Sequence, residues 1–413
     1  MHIVIVNRWP RFKEDDVRWD NELTRYEEFI DHDAHRVSYV VDRLGTEGVL
    51  ADPAKIAHLV QVDDVNDVDS LRAAVAEVIE KVGPVDQLIA LSEFTLEIAA
   101  KVREDLGLPG PTTAEVAVYR DKVRMKEILA EAGVRVPRFA ACTDVESGLA
   151  FARSCGYPVI LKPVDGAASI GVHRVDDEAA LGELLATVDL ERYEIEEFVT
   201  GTIHHVDGFT GAGSEVGFQV ASRYVNDCLS FGSGQPLGSV VLQHSALRDR
   251  IEEFTRDCVR TLGMTGTPFH LELFVTPEDE IVFLEIGGRV GGSEVPHLLN
   301  KLFGVNLFEV WLRAACGDPV TPAPRPGDPS GGWLVVPKPA NLPAVVLKAS
   351  SVRAAVPSVW RELLPAVGEV LEPGGAYDAL HAGRFILLHD DQEQVEADIH
   401  RIIETFEFEV TAP

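Results

Sequence analysis

Cysteine is scarce in this chain of 413 residues: there are five, Cys142, Cys155, Cys228, Cys258 and Cys316. No two stand in CxxC spacing, so neither a disulfide framework nor a zinc cage is expected, and a reducing cytoplasm fits. Long apolar runs are also lacking. None reaches the roughly 18–20 residues of a membrane span. The opening stretch MHIVIVNRWPRFKEDD turns polar after six residues, too soon for a secretory signal, so no membrane is expected as a partner. Basic residues are outnumbered, 37 against 67 acidic, for a formal net charge of −30. That excludes a general nucleic-acid binder, and any phosphate must be held by a local cationic site within an acidic surface. Glycine is missing from IVIVNRWPRF, which follows the start of a β-branched run. The fingerprint of a dinucleotide fold is therefore absent, and a nicotinamide dehydrogenase is disfavoured.

What is present is ordinary globular material, 46% hydrophobic and 25% charged, enough for two to four units at roughly 100–200 residues each. Short apolar runs at MHIVIV, 35–42 and 85–92 read as strands, and 69–83 reads as a helix. Such alternation implies an α/β unit with a doubly wound parallel sheet over residues 1–112. Residues 112–137 read as two short helices closed by Gly133 and Pro137. Strand, glycine-containing loop, strand, helix and strand follow, a small α+β unit over about 138–200 that could act as a lid. A Pro/Gly-rich stretch at 317–332 marks a linker or long loop before a mixed unit, 321–413, that ends in a helix.

The stretch FHLELFVTPEDEIVFLEIGGRVGG, 269–292, carries a glutamate in each of two apolar strands. A hairpin turning between Glu278 and Asp279 sets Glu272 opposite Glu285 and Phe274 opposite Phe283. Two facing carboxylates repel unless a cation joins them. An all-oxygen pair suits a hard ion such as magnesium, although a solvated edge hairpin would also explain them. Arg289 lies four residues on, among four glycines that include Gly287 and Gly288. Glycines admit close approach of backbone and ligand, and arginine beside paired carboxylates suggests a metal–phosphate site.

Two lysines fit that reading. Lys162 ends the apolar run PVILK, before the small-residue loop VDGAASIGV with Gly166, Ser169 and Gly171. Exposed backbone N–H groups in such a loop suit phosphate oxygens. It is not a Walker loop, since GxxxxGK[ST] is absent. Lys122 lies in RDKVRMK, where a surface position is the plainer expectation.

In order and spacing, DK, KP with its loop, EEFV, HLE and LEIGGRVGG together resemble the ATP-grasp superfamily over about residues 1–320. The last two motifs look like those of carboxylate–amine ligases, especially bacterial L-amino acid ligases. Gly287 stands where biotin carboxylases and D-alanine–D-alanine ligases usually have asparagine. The resemblance implies an ATP-grasp fold: a Rossmann-like unit (1–112), an ATP-grasp domain (113–320) with its mobile lid, and a C-terminal α+β unit (321–413). It implies ATP and Mg2+ as cofactors, two ions with Mn2+ as a substitute, and small-molecule carboxylate and amine substrates; a homodimer is compatible with it.

By resemblance, Lys122, Lys162 and the loop 165–171 hold ATP phosphates. Glu196, with the backbone of Glu197 to Val199, meets the adenine. Glu272 and Glu285 bind metal, and Arg289 contacts the acyl phosphate or its oxyanion. The catalytic set is Arg289, Lys162 and Glu285. Ile203 stands where many relatives have an acidic residue on the ribose; His204, His205 or Asp207 can substitute, and His205 is taken as cofactor-binding. The acceptor-substrate site draws on Glu93, Gly287 and Gly288 and on the segment 222–239, in which Arg223 and Tyr224 would grip a carboxylate. The reaction implied is ADP-forming amide synthesis through an acyl phosphate. The rivals are a bicarbonate-activating carboxylase component and a nucleotide-binding regulator without chemistry.

Overall fold

The computed structural model describes residues 1–11, 22–166, 169–373 and 381–413. Its first unit is a parallel sheet in the order Ile56–Gln61, Arg36–Val41, His2–Asn7, Gln87–Ala90. The central strand His2–Asn7 is buried along its whole length, as its unbroken apolar run requires. The edge strand Ile56–Gln61 was not expected from sequence. It alternates half-buried and exposed residues, so its apolar residues form no continuous buried run. Helices Val68–Val82 and Glu93–Leu106 cover one face.

The segment expected to act as a lid contains a sheet in the order Phe139–Ala141, Tyr193–Glu197, Val159–Pro163, His173–Val175. Helices Val145–Cys155 and Glu178–Leu185 close its own small core around Leu161, Leu181 and Ile195.

The largest layer is an eight-stranded antiparallel sheet. Its order is Ile281–Gly287, Pro268–Val275, Thr202–Thr210, Val216–Val225, Leu237–Val241, Ser330–Pro337, His381–His389, Val359–Leu363. Strands from both sides of residue 320 share it, Leu237–Val241 pairing with Ser330–Pro337. Part of the expected third unit forms a separate three-stranded sheet, in the order Val370–Leu371, Ala344–Ala349, Phe408–Thr411.

Side-chain alternation gives the large sheet two different faces. Val206, Phe269, Leu271, Leu273 and Phe283 pack against helices Lys122–Glu131 and Ala246–Thr261. Val225, Val240 and Leu334 lie under helix Gln392–Thr405 on the same side. The opposite face, with Tyr224 and Trp333, joins the first unit through helices Val295–Phe303 and Leu307–Ala315. The polar residues between those two packed regions make the site. Among the described residues, no helix is long and apolar enough to cross a membrane.

Candidate active site

The paired glutamates are where the sequence puts them, by a different route. Glu272 is opposite Glu285, but Leu273 pairs with Phe283 and Phe274 with Val282. The turn is a residue longer than a symmetric two-residue reversal, with Asp279 in the left-handed region at φ 65°. A bulge just beyond Glu272 and Glu285 makes up the difference. The expected Phe274–Phe283 pair is therefore wrong. Phe283 and Ile286 both face the helices, a parity that only the bulge allows.

Glu272 sits in a hydrogen-bonded chain that runs across the sheet. The Tyr224 hydroxyl donates to its Oε1 at 2.7 Å, and His270 Nε2 meets the same oxygen at 3.3 Å. His270 Nδ1 is 2.8 Å from Asp207 Oδ1; Asp207 Oδ2 is 2.7 Å from His205 Nδ1; and His205 Nε2 is 2.7 Å from Ser239 Oγ. Burial opposes a charged imidazole at His270, but the Asp207 carboxylate outweighs it and pushes the pKa up to about 9. Burial also opposes charge on Asp207, yet the two histidines hold its carboxyl well below the usual range. Glu272 is lowered as well, against burial, by His270 and Tyr224.

The lysines come from two elements. Lys122 begins the helix Lys122–Glu131, capped by the Asp121 carboxylate on the N–H groups of Val123 and Arg124. Its Nζ donates to the Gly166 carbonyl at 2.6 Å and lies 3.1 Å from Glu285 Oε2. Lys162 is in the lid strand Val159–Pro163, 3% exposed, with Nζ 2.6 Å from Glu196 Oε1. Burial disfavours its charge, but Glu196 and Glu194 raise its pKa overall. The small-residue loop is tied down at its start: Arg120 donates to the Asp165 carbonyl at 2.7 Å, and the Lys122 N–H donates to the Val164 carbonyl. Ser169 and Gly171 take positive φ of 55° and 73°. A side chain at Gly171 would also meet the Tyr193 hydroxyl at 2.9 Å. Residues 167–168 of the expected phosphate loop lie outside the described residues.

On the first unit's side, Glu93 opens the helix Glu93–Leu106 and bridges two arginines. Its Oε1 is 2.5 Å from Arg120 Nη1 and its Oε2 is 2.8 Å from Arg289 Nε. Burial pushes the carboxyl up, but Arg289 and Arg120 overcome that and hold it at about 2. Gly287 leaves room here, since a Cβ would stand 3.8 Å from Glu93 Oε1. Gly288 is packed against the Tyr119 ring, where a Cβ would lie 2.5 Å from Cδ2. Glu93, Lys122, His270, Glu285 and Arg289 line one cleft.

Several predicted site residues stand in surroundings that the sequence did not show. Arg223 points to the other face of the sheet and pairs with Glu396 of the helix Gln392–Thr405. Adjacent strand residues cannot share a face, so Arg223 and Tyr224 cannot grip one substrate group together. Tyr224 is on the site face, but its hydroxyl is spent on Glu272. The segment 222–239 is not one loop: it ends the strand Val216–Val225, forms the short helix Cys228–Gly232 and begins the strand Leu237–Val241. His205 has both ring nitrogens engaged and is 1% exposed, which leaves none for a ribose. The Glu196 carboxylate lies between two lysines rather than open to a base. Glu197 bonds to Arg135 and to the Arg138 N–H at 2.9 Å, and Val199 is buried.

Sequence reasoning missed Lys126, Glu194, Arg120 and His270. Lys126 is fully buried, although it stands in RDKVRMK, which reads as a charged surface helix. The available signal was its spacing, four residues after Lys122, which sets both on one helix face.

The fold is of ATP-grasp type, and residues 155–297 match the model of the ATP-grasp domain. The chain superposes on the L-amino acid ligase of Bacillus licheniformis with a TM-score of 0.73 over 98% of both chains at 20% identity, a likeness of fold. In sequence it is similar to the L-arginine-specific L-amino acid ligase of Bacillus subtilis, 28% identical over 267 residues, 61% of this chain and 62% of that protein. It is also similar to the alanine–anticapsin ligase of Bacillus subtilis, 26% identical over 268 residues, 59% of this chain and 57% of that protein. The chain thus matches under two thirds of the length of these relatives.

Proposed function

We propose that this protein is an ATP-dependent carboxylate–amine ligase that joins a carboxylic acid of amino acid type to an amine and releases ADP and phosphate. One observation carries the reading: Glu272 and Glu285 face each other across the hairpin, with Lys122 3.1 Å from Glu285 and the loop 164–166 held above Lys122. The donor set fits magnesium. Both donors that reach Glu272 take Oε1, so among the described residues Oε2 has no donor and is left for an ion. When bound, magnesium would neutralise phosphate charge during transfer. Lys122 and Lys162 supply positive charge for the phosphates. Arg289, oriented by Glu93, presents its guanidinium to charge that develops at the activated carboxyl. No side-chain nucleophile is required, because the carboxylate itself attacks the terminal phosphate.

The intermediate of this reaction is an acyl phosphate, which needs ATP and the carboxylic acid but not yet the amine. Hydroxylamine should intercept it. With a screen of amino acids, ATP and hydroxylamine, the expected products are a hydroxamate and ADP. AMP and pyrophosphate would mean adenylation and overturn the mechanism. ADP release that follows bicarbonate would favour a carboxylase, and ADP release independent of any carboxylate would leave only an ATPase.

A further inference from the structure

Lys126 and Lys162 meet two glutamates below the site. Lys126 Nζ is 2.7 Å from Glu194 Oε2 and 2.6 Å from Glu196 Oε2. Lys162 Nζ is 2.6 Å from Glu196 Oε1 and 3.9 Å from Glu194 Oε1. Glu196 thus gives one oxygen to each lysine. No side chain of the four is more than 4% exposed. The two glutamates alternate along the lid strand Tyr193–Glu197, and Lys162 lies on the strand beside it. Lys126 comes from outside the lid sheet, on the helix Lys122–Glu131, with its ammonium 4.8 Å from the Phe139 ring centre.

Two buried cations and two buried anions balance. If Lys162 were the only cation, its departure toward a phosphate would leave two carboxylates in a dry site, which is strongly unfavourable. With a second cation fixed in place, one carboxylate stays paired. The other has a route to neutrality, because burial already pushes the Glu194 carboxyl up.

We propose that Lys126 is a positioning residue for nucleotide binding: it remains on Glu194 and Glu196 as their resident counter-ion and so frees the Lys162 ammonium to engage a nucleotide phosphate. The proposal rests on the ATP reading above and adds a residue that touches no substrate.

The test is calorimetric titration of the full-length protein with ATP and magnesium, on variants whose folding is checked by circular dichroism. Lys126→Met keeps the side chain's bulk and leaves Lys162 alone with two carboxylates. Its Kd should rise about tenfold or more, a loss of at least one hydrogen-bonded charge contact. Lys126→Met/Glu194→Gln restores the balance and should return the Kd to within about threefold of wild type. Equal affinity in wild type and the single variant would overturn the proposal. Equal weakening in the single and double variants would overturn it too, since Lys126 would then act through packing. Glu194→Gln alone keeps the Lys126–Glu196 pair and serves if Lys126→Met does not fold. It loosens the hold on Lys162, so its Kd should fall at least about twofold, and a higher Kd would refute the counter-ion role. Wild-type protein that binds no ATP would overturn the functional reading itself. Wild-type binding with an indifferent Lys126→Met would remove only this inference.

Discussion

The Tyr224 hydroxyl donates to Glu272 Oε1 at 2.7 Å, and this one bond decides how Glu272 can act. With His270 on the same oxygen, Oε2 is left without a donor among the described residues. Partners of this kind, behind a metal ligand, fix its orientation, and removing one commonly costs about 10–100-fold in metal affinity.

Tyr224→Phe therefore tests the orientation without touching a ligand atom. The ring stays packed near His205 and Trp333. The magnesium concentration needed for half-maximal ATP turnover should rise about tenfold, while the response to ATP at saturating magnesium changes little. An unchanged magnesium requirement would mean that Glu272 is not a ligand or is not held by Tyr224.

The two glutamates should differ when each is neutralised. Glu285 faces Lys122 at the open side of the cleft, whereas Glu272 is 8% exposed within its network. Glu285→Gln removes the carboxylate charge beside Lys122 and leaves the fold intact, and turnover should fall by about 100-fold or more. Glu272→Gln should retain more activity but need more magnesium, because Tyr224 and His270 still hold the side chain in place. Wild-type rates in both variants would refute the metal pair.

How much of this was legible beforehand varies with the physics. The parallel sheet announces itself through runs of buried β-branched residues. The strand Ile56–Gln61 does not, being an edge with one solvated face. The Glu272–Glu285 pairing was reached by symmetric counting, which holds only because a bulge offsets a longer turn; neither irregularity leaves a composition signal. Charged residues were harder still. Arg223 and Tyr224 are neighbours in sequence but lie on opposite faces, bound to Glu396 and Glu272. Lys126 looks like a solvated lysine until Glu194 and Glu196 arrive from about seventy residues away. Partners that distant are fixed by topology, which local pattern does not encode.

Gly291 tests the histidine–aspartate chain through packing. A Cβ there would stand 2.1 Å from Asp207 Oδ1 and 2.9 Å from Val295 Cγ1. Asp207 cannot retreat, because both its oxygens are bonded to histidines. Gly291→Ala should destabilise the protein by about 1–3 kcal/mol and raise the magnesium requirement, since the chain ends on Glu272. Gly292→Ala is the control: nothing lies within 4 Å of its Cβ, and it should behave as wild type. Equal melting temperatures for the two variants would refute this packing.

The Glu93 bridge makes a prediction about acid. Its carboxyl is held at about 2 in the folded protein against an ordinary value of 4.5, because Arg289 and Arg120 outweigh burial. A depressed carboxyl contributes stability above its unfolded pKa, and that contribution fades as the pH falls from about 4.5 toward about 2. Glu93→Gln removes the charge at every pH and leaves two arginines facing each other. The variant should therefore melt well below wild type at pH 7, by several degrees, and the gap should narrow steadily as both are measured from pH 5 down to about pH 3. Other carboxylates titrate in the same range, but they do so in both proteins and drop out of the difference. A gap that stays constant across this range would mean that the Glu93 charge is not what holds Arg120 and Arg289 together. A gap that widens on acidification would reverse the sign and exclude the bridge as a source of stability.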